Sequence, residues 1–111
     1  MKVVVLPNVE LDILEHAIWW AKQHSSEQAW RWVVKVEAQV QAIGHQPHSH
    51  PLADEDSEYP FPLRNALAGT GTPGTHRALF TIVDEIVYVL TVVRSSQGCV
   101  SVSKLPRHPF L

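Results

Sequence analysis

The strongest constraint on the fold is a pair of apolar segments, His76–Val83 and Ile86–Arg94, that are separated by only two residues. Both segments are rich in β-branched and aromatic residues, which favour extended backbone. The connection Asp84-Glu85 is short enough for a tight turn between antiparallel strands. The sequence therefore predicts a β-hairpin. Because Ile86–Arg94 is the most apolar segment of the chain, we expect it to lie centrally in a sheet.

Two amphipathic helices are predicted ahead of this hairpin. In residues 9–23, apolar side chains recur at three- and four-residue steps, which is typical of one buried stripe. The members of that stripe are Leu11, Leu14, Ile18 and Ala21. Asn8 is the candidate N-cap, because its side chain can accept a hydrogen bond from an otherwise unpaired backbone N–H.

The second helix is predicted to begin at a cap formed by Ser25 or Ser26 and to run to Ile43. Gly44 would then supply the left-handed residue on which helices often end. The following segment, His45–Pro62, contains four prolines and is predicted as a long loop, because neither a helix nor an inner strand persists through them.

Further strands are expected on both sides of the helices. Lys2–Leu6 is a β-branched run ended by a proline, Leu63–Ala68 precedes a glycine-rich turn, and Cys99–Val102 is a candidate short strand. The predicted fold class is therefore α+β, with an N-terminal strand and an α-helical hairpin packed on one face of an antiparallel sheet of three to four strands.

Size and composition indicate one domain. A chain of 111 residues with 45% hydrophobic residues can build a single core, so residues 1–111 are treated as one domain, with 95–111 as a candidate mobile tail. A net charge of −2 offers no general attraction to nucleic acid. No apolar run approaches the ~20 residues of a membrane span. With Cys99 as the single cysteine, the expectation is a cytoplasmic protein without a membrane partner.

The long loop concentrates candidate metal ligands. They are His45, His48 and His50, followed by Asp54, Glu55 and Asp56. A metal site needs three or four converging ligands, and a loop broken by prolines does not fix such a geometry, so a solvated loop is the favoured interpretation. Gly69, Gly71 and Gly74 form a turn without the helix of a phosphate-binding motif. We predict neither a metal nor a cofactor.

Three groups of residues follow the pattern of one known family. In the first helix they are Val9, Asp12, Ile13, Trp19 and Trp20, and in the second Ser25 or Ser26, Ala29, Ile43 and Pro47. The most specific group is Leu63-Arg64, the glycine-rich turn, and the hairpin with Arg77, Phe80 and Arg94. In this order, the sequence from Val3 to about Gln97 resembles the RelE/ParE toxin superfamily, and it is closer to the ParE branch.

Three positions depart from the family pattern. His76 stands in place of the usual Tyr, Arg94 stands where many members have His, and Gln97 stands where many have a basic residue. The loop from His48 to Pro60 is also longer than in compact members. The missing basic residue and the near-neutral charge count against an RNA substrate, because messenger RNA binding normally uses a basic surface.

The resemblance implies the toxin component of a type II toxin-antitoxin (plasmid stabilisation) system. Such a protein binds a cellular target such as DNA gyrase, is neutralised by a cognate antitoxin, and needs no catalytic residues. The family also implies an alternative, a ribosome-dependent mRNA endonuclease of the RelE type, whose partners would be the ribosome and its message. A non-toxic member that retains only the fold is the third alternative, and a homodimer is left open.

The endonuclease alternative would need arginines near the scissile phosphate. The candidate catalytic residues are Arg77, Arg64 and Arg94, with Lys104, Arg107 and His108 added only if the tail folds back. Such a site must stabilise charge on the phosphate and protonate the leaving oxygen, for which Tyr88 and His76 are available. Strand alternation places Arg77 and His76 on opposite faces of the sheet. Arg77 could instead pair with an acid such as Asp12 or Glu85.

The helical hairpin carries the four tryptophans Trp19, Trp20, Trp30 and Trp32. They cannot all point inward from two short helices, so one or two should cap the core while the others form an apolar patch for a partner. A disordered antitoxin segment could fold there as a helix, or add a strand to an open sheet edge.

Overall fold

The chain folds into the two layers predicted from its sequence, a helical hairpin on one face of a sheet. The computed structural model describes residues 1–69 and 75–106. The elements are β1 (Lys2–Val5), α1 (Pro7–Gln23), α2 (Ser26–Ala42), β2 (Leu63–Ala68), β3 (His76–Val83) and β4 (Ile86–Arg94). The α+β class, the N-terminal strand and the helical hairpin are confirmed. Among the described residues, no helix has the length and apolar character needed to span a membrane.

The sheet has four strands in the order β1-β4-β3-β2. β4 pairs antiparallel with β3, and β3 pairs antiparallel with β2, whereas β1 lies parallel to β4 with Lys2 opposite Ile86. The sheet is therefore mixed: β2, β3 and β4 form the predicted antiparallel sheet, and the N-terminal strand β1 joins it in parallel. Parallel neighbours need a long crossover, which the helices and the rest of the sheet supply between β1 and β4. β4 is an inner strand, as its apolar sequence predicts.

The turn between β3 and β4 is tight. Asp84 and Glu85 both have positive φ angles, 52° and 63°. Two consecutive left-handed residues characterise the type I′ turn, whose twist matches that of the flanking strands. The predicted two-residue hairpin is thus confirmed.

β3 contributes side chains to two cores, one on each face of the sheet. On the helical face, Ala78 and Phe80 pack with Val9, Val36 and other helix residues. On the opposite face, Leu79 packs with Leu63, Leu90, Tyr59, Val102 and Leu105. The loop and the segment after β4 therefore cover the second face. Val102–Lys104 forms a 3-10 helix, so the short strand predicted at Cys99–Val102 is wrong. Residues 107–111 of the candidate tail, with Arg107 and His108, lie outside the described residues, as do Gly71 and Gly74.

The buried stripe predicted for α1 is wrong. Leu11, Leu14 and Ile18 are 61%, 54% and 49% exposed, whereas Val9, Ile13 and Ala17 are buried. The helix carries two apolar stripes with the same spacing, and periodicity cannot tell which of them faces the sheet. The stripe of Val9, Ile13 and Ala17 has the smaller side chains, so it allows the backbone of α1 to come close to β4 and α2.

The helix ends also differ in part from the predictions. Ser25 caps α2 by accepting a hydrogen bond from the Gln28 N–H at 3.1 Å, as expected. Asn8 is not the cap of α1, because the helix already begins at Pro7. Proline has no backbone N–H, and in the first turn of a helix that N–H would have no partner in any case. Gly44 is not left-handed; it lies in a 3-10 helix, where a Cβ would approach the carbonyl oxygen of Met1 to 2.4 Å.

Candidate functional site

Arg77 is held in a network on the face of the sheet opposite the helices. Its guanidinium group donates to both carboxylate oxygens of Glu55, at 2.5 and 3.1 Å, and to the carbonyl of Gly98 at 2.8 Å. The Asn65 side chain accepts a longer bond at 3.4 Å. Arg77 pairs with an acid, as one interpretation allowed, but the acid is Glu55 rather than Asp12 or Glu85. Bidentate contact with a carboxylate is among the strongest hydrogen-bond geometries.

Glu55 lies in the long loop and is 3% exposed. It also accepts a hydrogen bond from the Val100 N–H at 2.7 Å. Burial raises the pKa of this carboxyl, but the hydrogen bonds from Arg77 and Val100 outweigh that effect, so the pKa of Glu55 is lowered. Glu55 therefore stays ionised at neutral pH and joins three segments, the loop, β3 and the chain after β4. A cavity of about 450 Å³ opens beside Arg77, lined also by Asn65 and Cys99.

The three candidate arginines do not converge on one site. Arg64 lies opposite Phe80 in the β-ladder, and it donates to the carbonyl of His50 at 2.6 Å. Arg94 lies opposite His76, which in turn lies opposite Ala68, four residues further along β2 than Arg64. Four residues of strand span roughly 13 Å. Arg77 is on the other face, as strand alternation predicted.

Arg94 instead belongs to a cavity between the helices and the end of the sheet, which we term the aromatic pocket. The pocket has a volume of about 410 Å³ and is lined by His16, Trp19, Trp20, Trp32, Thr75, His76, Arg94, Ser95 and Ser96. The guanidinium carbon of Arg94 lies 4.1 Å from the centre of a Trp19 ring. A cation over an indole face is attracted by the ring electrons.

The two histidines of the aromatic pocket are in contact. The His16 and His76 rings meet edge to face with centroids 4.8 Å apart, and the Trp32 ring lies 5.0 Å from His76. Burial, together with nearby His16 and Arg94, lowers the pKa of His76 to about 4. Burial and Arg94 also lower the pKa of His16. Both imidazoles are therefore neutral at pH 7.

The tryptophans separate into two surfaces. Trp32 is buried, Trp20 is half-buried and Trp19 is 42% exposed at the aromatic pocket. Trp30 is 67% exposed and lies in a different place, a groove of about 580 Å³ on the outer side of the helical hairpin. We term it the helical groove. Its apolar lining includes Leu14, Ile18, Ala21 and Val33. The four tryptophans thus do not form one patch.

A polar stripe of α1 covers the edge of β4. β1 pairs with β4 only as far as Val89, which leaves the rest of that strand edge without a neighbouring strand in the described structure. Asn8 donates to the carbonyl of Leu90 at 2.8 Å, Asp12 accepts from the Thr91 hydroxyl at 3.2 Å, and Asp12 and His16 both lie beside the backbone of Val92. A spacing of four residues places these three side chains on one face of the helix. Burial is the main reason that the pKa of Asp12 is raised.

The candidate metal ligands of the loop are used in other ways. Within residues 1–69 and 75–106, no three His, Cys, Asp or Glu side chains are arranged to hold a metal ion. His50 packs edge to face on Phe80 at 5.6 Å, Glu55 binds Arg77, and Asp56 accepts from the Leu63 N–H at 2.7 Å.

No family model and no curated protein matches the chain. Its function is therefore inferred from the arrangement of its own residues. Two features of that arrangement could not be identified from the sequence, the role of Glu55 and the meeting of His16 with His76. The available signals were the acidic run around Glu55 and the tryptophan pair beside His16, and neither indicates a distant partner.

Proposed function

We propose that this protein is the toxin component of a type II toxin-antitoxin (plasmid stabilisation) system. In this proposal it acts in the cytoplasm by binding a cellular protein such as DNA gyrase, and a cognate antitoxin neutralises it. The order of one strand, two helices and a three-stranded meander is the arrangement that the RelE/ParE resemblance implies, and it supports the proposal.

The observation that carries the proposal is the helical groove. Leu14, Ile18 and Trp30 expose between 49% and 67% of their surface within it. Contiguous apolar surface on a folded chain marks a site where another molecule docks, and tryptophan is prominent among residues that dominate binding energy.

An amphipathic helix is the antitoxin element that fits this groove best. A groove between two helices accepts the apolar face of a third, and Glu10 and Glu37 in its lining favour a partner with flanking basic residues. Strand addition has less support, because Leu52 already bridges to Arg64 at the outer edge of β2, and the α1 stripe covers the edge of β4.

The arginines favour protein binding over RNA cleavage. Arg77 is engaged by Glu55, and Arg64 and Arg94 lie at different ends of the sheet. One observation keeps the endonuclease as a second candidate, since Arg77 borders an open cavity with a carboxylate beside it. A guanidinium and a carboxylate could stabilise a phosphate and move a proton.

The test is inducible expression in a bacterium, alone and together with the product of any small adjacent reading frame that encodes a DNA-binding protein. We expect the wild-type chain to stop growth and its neighbour to restore growth. Altered DNA supercoiling without message cleavage would support the gyrase-type target, whereas message cleavage would support the endonuclease. Normal growth on induction would overturn toxicity and leave a protein with the fold alone.

A matched pair of variants tests the helical groove. Trp30→Glu places a charge in the groove. We therefore expect the variant to stop growth as the wild type does, and we expect the antitoxin to fail to restore growth. Val34→Glu is the control, because Val34 is 49% exposed but is not part of the groove lining. Rescue of both variants would show that the antitoxin binds elsewhere.

A further inference from the structure

The outer side of the helical hairpin is complementary to a second copy of itself. In α1, four side chains at four-residue steps form one ridge along the helix, namely Glu10, Leu14, Ile18 and Lys22. The midpoint of this ridge is position 16. When the helix direction is reversed about that midpoint, Leu14 and Ile18 exchange places. Glu10 and Lys22 exchange places as well, so two antiparallel ridges meet with apolar side chains at the centre and opposite charges at both ends.

α2 carries a shorter ridge with the same symmetry. Trp30 and Val34 are four residues apart, and their midpoint is position 32. The two midpoints lie close to one level of the hairpin, because the rings of His16 and Trp32 have centroids 6.1 Å apart. One two-fold axis that crosses the hairpin at this level therefore serves both ridges. It places α1 on α1 and α2 on α2 of the second copy, so that the same surface contributes from both sides.

The centre of this surface is apolar and exposed, and its ends are charged. The exposed fractions lie between 49% and 67% for Leu14, Ile18, Trp30 and Val34. Glu10 and Lys22 are also exposed, and neither belongs to an ion pair within the described residues. Twelve residues of helix, about 18 Å, separate the two, so they cannot pair within one chain. The surface therefore offers both apolar area and unpaired charges to a partner.

Charge selects between the two ways in which two copies can face each other. A two-fold axis along the helices would place α1 over α2 of the second copy. Glu10 would then approach Glu37, which lines the same groove, and the like charges would repel each other. The axis across the hairpin brings Glu10 beside Lys22 instead, and it does so twice in each dimer. The arrangement of α1 on α1 is therefore the favoured one.

We propose that the isolated chain forms a two-fold dimer through this surface and that an antitoxin displaces the second copy from the helical groove. Each helix has 17 residues and is about 25 Å long, so two adjacent helices present roughly 500 Å² per copy. A total of about 1,000 Å² is the lower limit of specific interfaces, so the dimer is weak and depends on protein concentration. Self-association does not require the toxin function, and only the displacement step rests on the proposed function.

The first test is analytical ultracentrifugation of the full chain at concentrations from about 1 to 100 µM, a range that detects micromolar dissociation constants. We expect a monomer at the low end and twice the chain mass at the high end. Leu14→Glu should raise the dissociation constant about a hundredfold, because each dimer would contain the unpaired charge twice. Circular dichroism should show an unchanged fold, since Leu14 is exposed. A wild-type chain that remains monomeric at the highest concentration would overturn the proposal.

Exchange of charges tests the orientation of the two copies. Glu10→Lys and Lys22→Glu each create two like-charge contacts per dimer, so each should raise the dissociation constant about tenfold. An equimolar mixture of these two variants should associate as the wild type does, because every contact again joins an acid to a lysine. Glu58→Lys is the control for net charge, since Glu58 is exposed in the loop on the other face of the sheet. A mixture that associates no better than its components would overturn the packing of α1 on α1.

The dimer and the antitoxin site can be tested separately. Val34 lies on the dimer surface but outside the lining of the helical groove, whereas Trp30 belongs to both. Val34→Glu should therefore abolish the dimer and keep rescue by the antitoxin, whereas Trp30→Glu should lose both. Wild-type association of Val34→Glu would contradict the contact between the α2 helices. A chain that forms the dimer but does not stop growth would support self-association and overturn only the proposed function.

Discussion

The ion pair between Glu55 and Arg77 joins the long loop to the middle of the sheet. We expect Glu55→Ala to lower the free energy of unfolding by about 3 kcal/mol, because it leaves the buried guanidinium group without its anionic partner. Urea denaturation followed by circular dichroism measures the change.

The chain contains a matched control for this prediction. Glu27 and Arg31 also form an ion pair, at 2.6 Å, but both side chains are 73% exposed. Glu27→Ala should change stability by at most about 0.5 kcal/mol, because water screens an exposed pair. Equal effects of the two substitutions would contradict the importance of burial.

His76 makes the stability of the fold depend on pH. Its pKa falls from 6.5 in the unfolded chain to about 4 in the fold, so between these values only the unfolded state binds the proton. Stability should therefore decrease as the pH falls from 6.5 towards 4, by roughly 3 kcal/mol for a shift of this size. Thermal unfolding at several pH values measures this slope, and His76→Phe should reduce it, while His16 and His50, whose pKa values burial also lowers, supply the slope that remains.

The pKa of Glu55 gives a second contribution at lower pH. Because this pKa is lowered in the fold, the stabilisation by ionised Glu55 is fully present above 4.5, the ordinary value, and is lost as the pH falls through the folded pKa.

A slope between pH 6.5 and 4 that is equal in wild type and His76→Phe would exclude His76 as its source.

At the scale of single residues, the sequence predicts which groups are unusual better than it predicts their partners. Arg77 stood out because a charge within an apolar strand needs a partner. Its partner lies in a loop 22 residues away in sequence, and the path of a loop between two strands is set by tertiary packing rather than by a local pattern. The same holds for His16 and His76, which come from a helix and a strand.

At the scale of elements, the start of β1 and the 3-10 helix Ile43–His45, which follows α2, approach each other closely at Gly44. A Cβ there would lie 2.4 Å from the carbonyl oxygen of Met1, an atom that cannot move without β1. We expect Gly44→Ala to cost about 2 kcal/mol, as overpacking typically does. Chemical denaturation measures this cost.

Gly98 provides the contrast to Gly44. It has a φ of +73°, but a Cβ would meet nothing within 4 Å. Gly98→Ala should therefore cost only the conformational strain, about 1 kcal/mol. A smaller loss for Gly44→Ala than for Gly98→Ala would show that β1 shifts readily.

The elements themselves follow local signals closely. The two helices, the turn at Asp84-Glu85 and strands β2 to β4 lie where apolar periodicity and turn length place them. The rotation of α1 about its own axis does not follow from a local signal, because both of its apolar stripes satisfy the same periodicity. The choice depends on the surfaces of β4 and α2, which are assembled from distant parts of the chain.

At the scale of the whole molecule, one sheet separates two cores that should unfold together. Leu63→Ala removes a buried side chain from the core without tryptophans and should cost about 2–5 kcal/mol. Because β3 belongs to both cores, the transition detected by tryptophan fluorescence on the helical face should shift by the same amount as that detected by circular dichroism.

Strand β2, which contains Leu63, also contains the control residue. Leu67 is 51% exposed, so Leu67→Ala should leave the transition nearly unchanged. If Leu63→Ala left the fluorescence transition at its wild-type midpoint while circular dichroism shifted, the two faces of the sheet would be independent.

The polar stripe of α1 has a consequence for the route by which the chain folds. A strand edge with unpaired backbone groups is a template for pairing between molecules, and Asn8, Asp12 and His16 occupy that edge on β4. The hairpin of β3 and β4 is local in sequence, whereas docking of α1 on it is not. Aggregation should therefore compete with folding during the interval between these events, and the docking of α1 ends that competition.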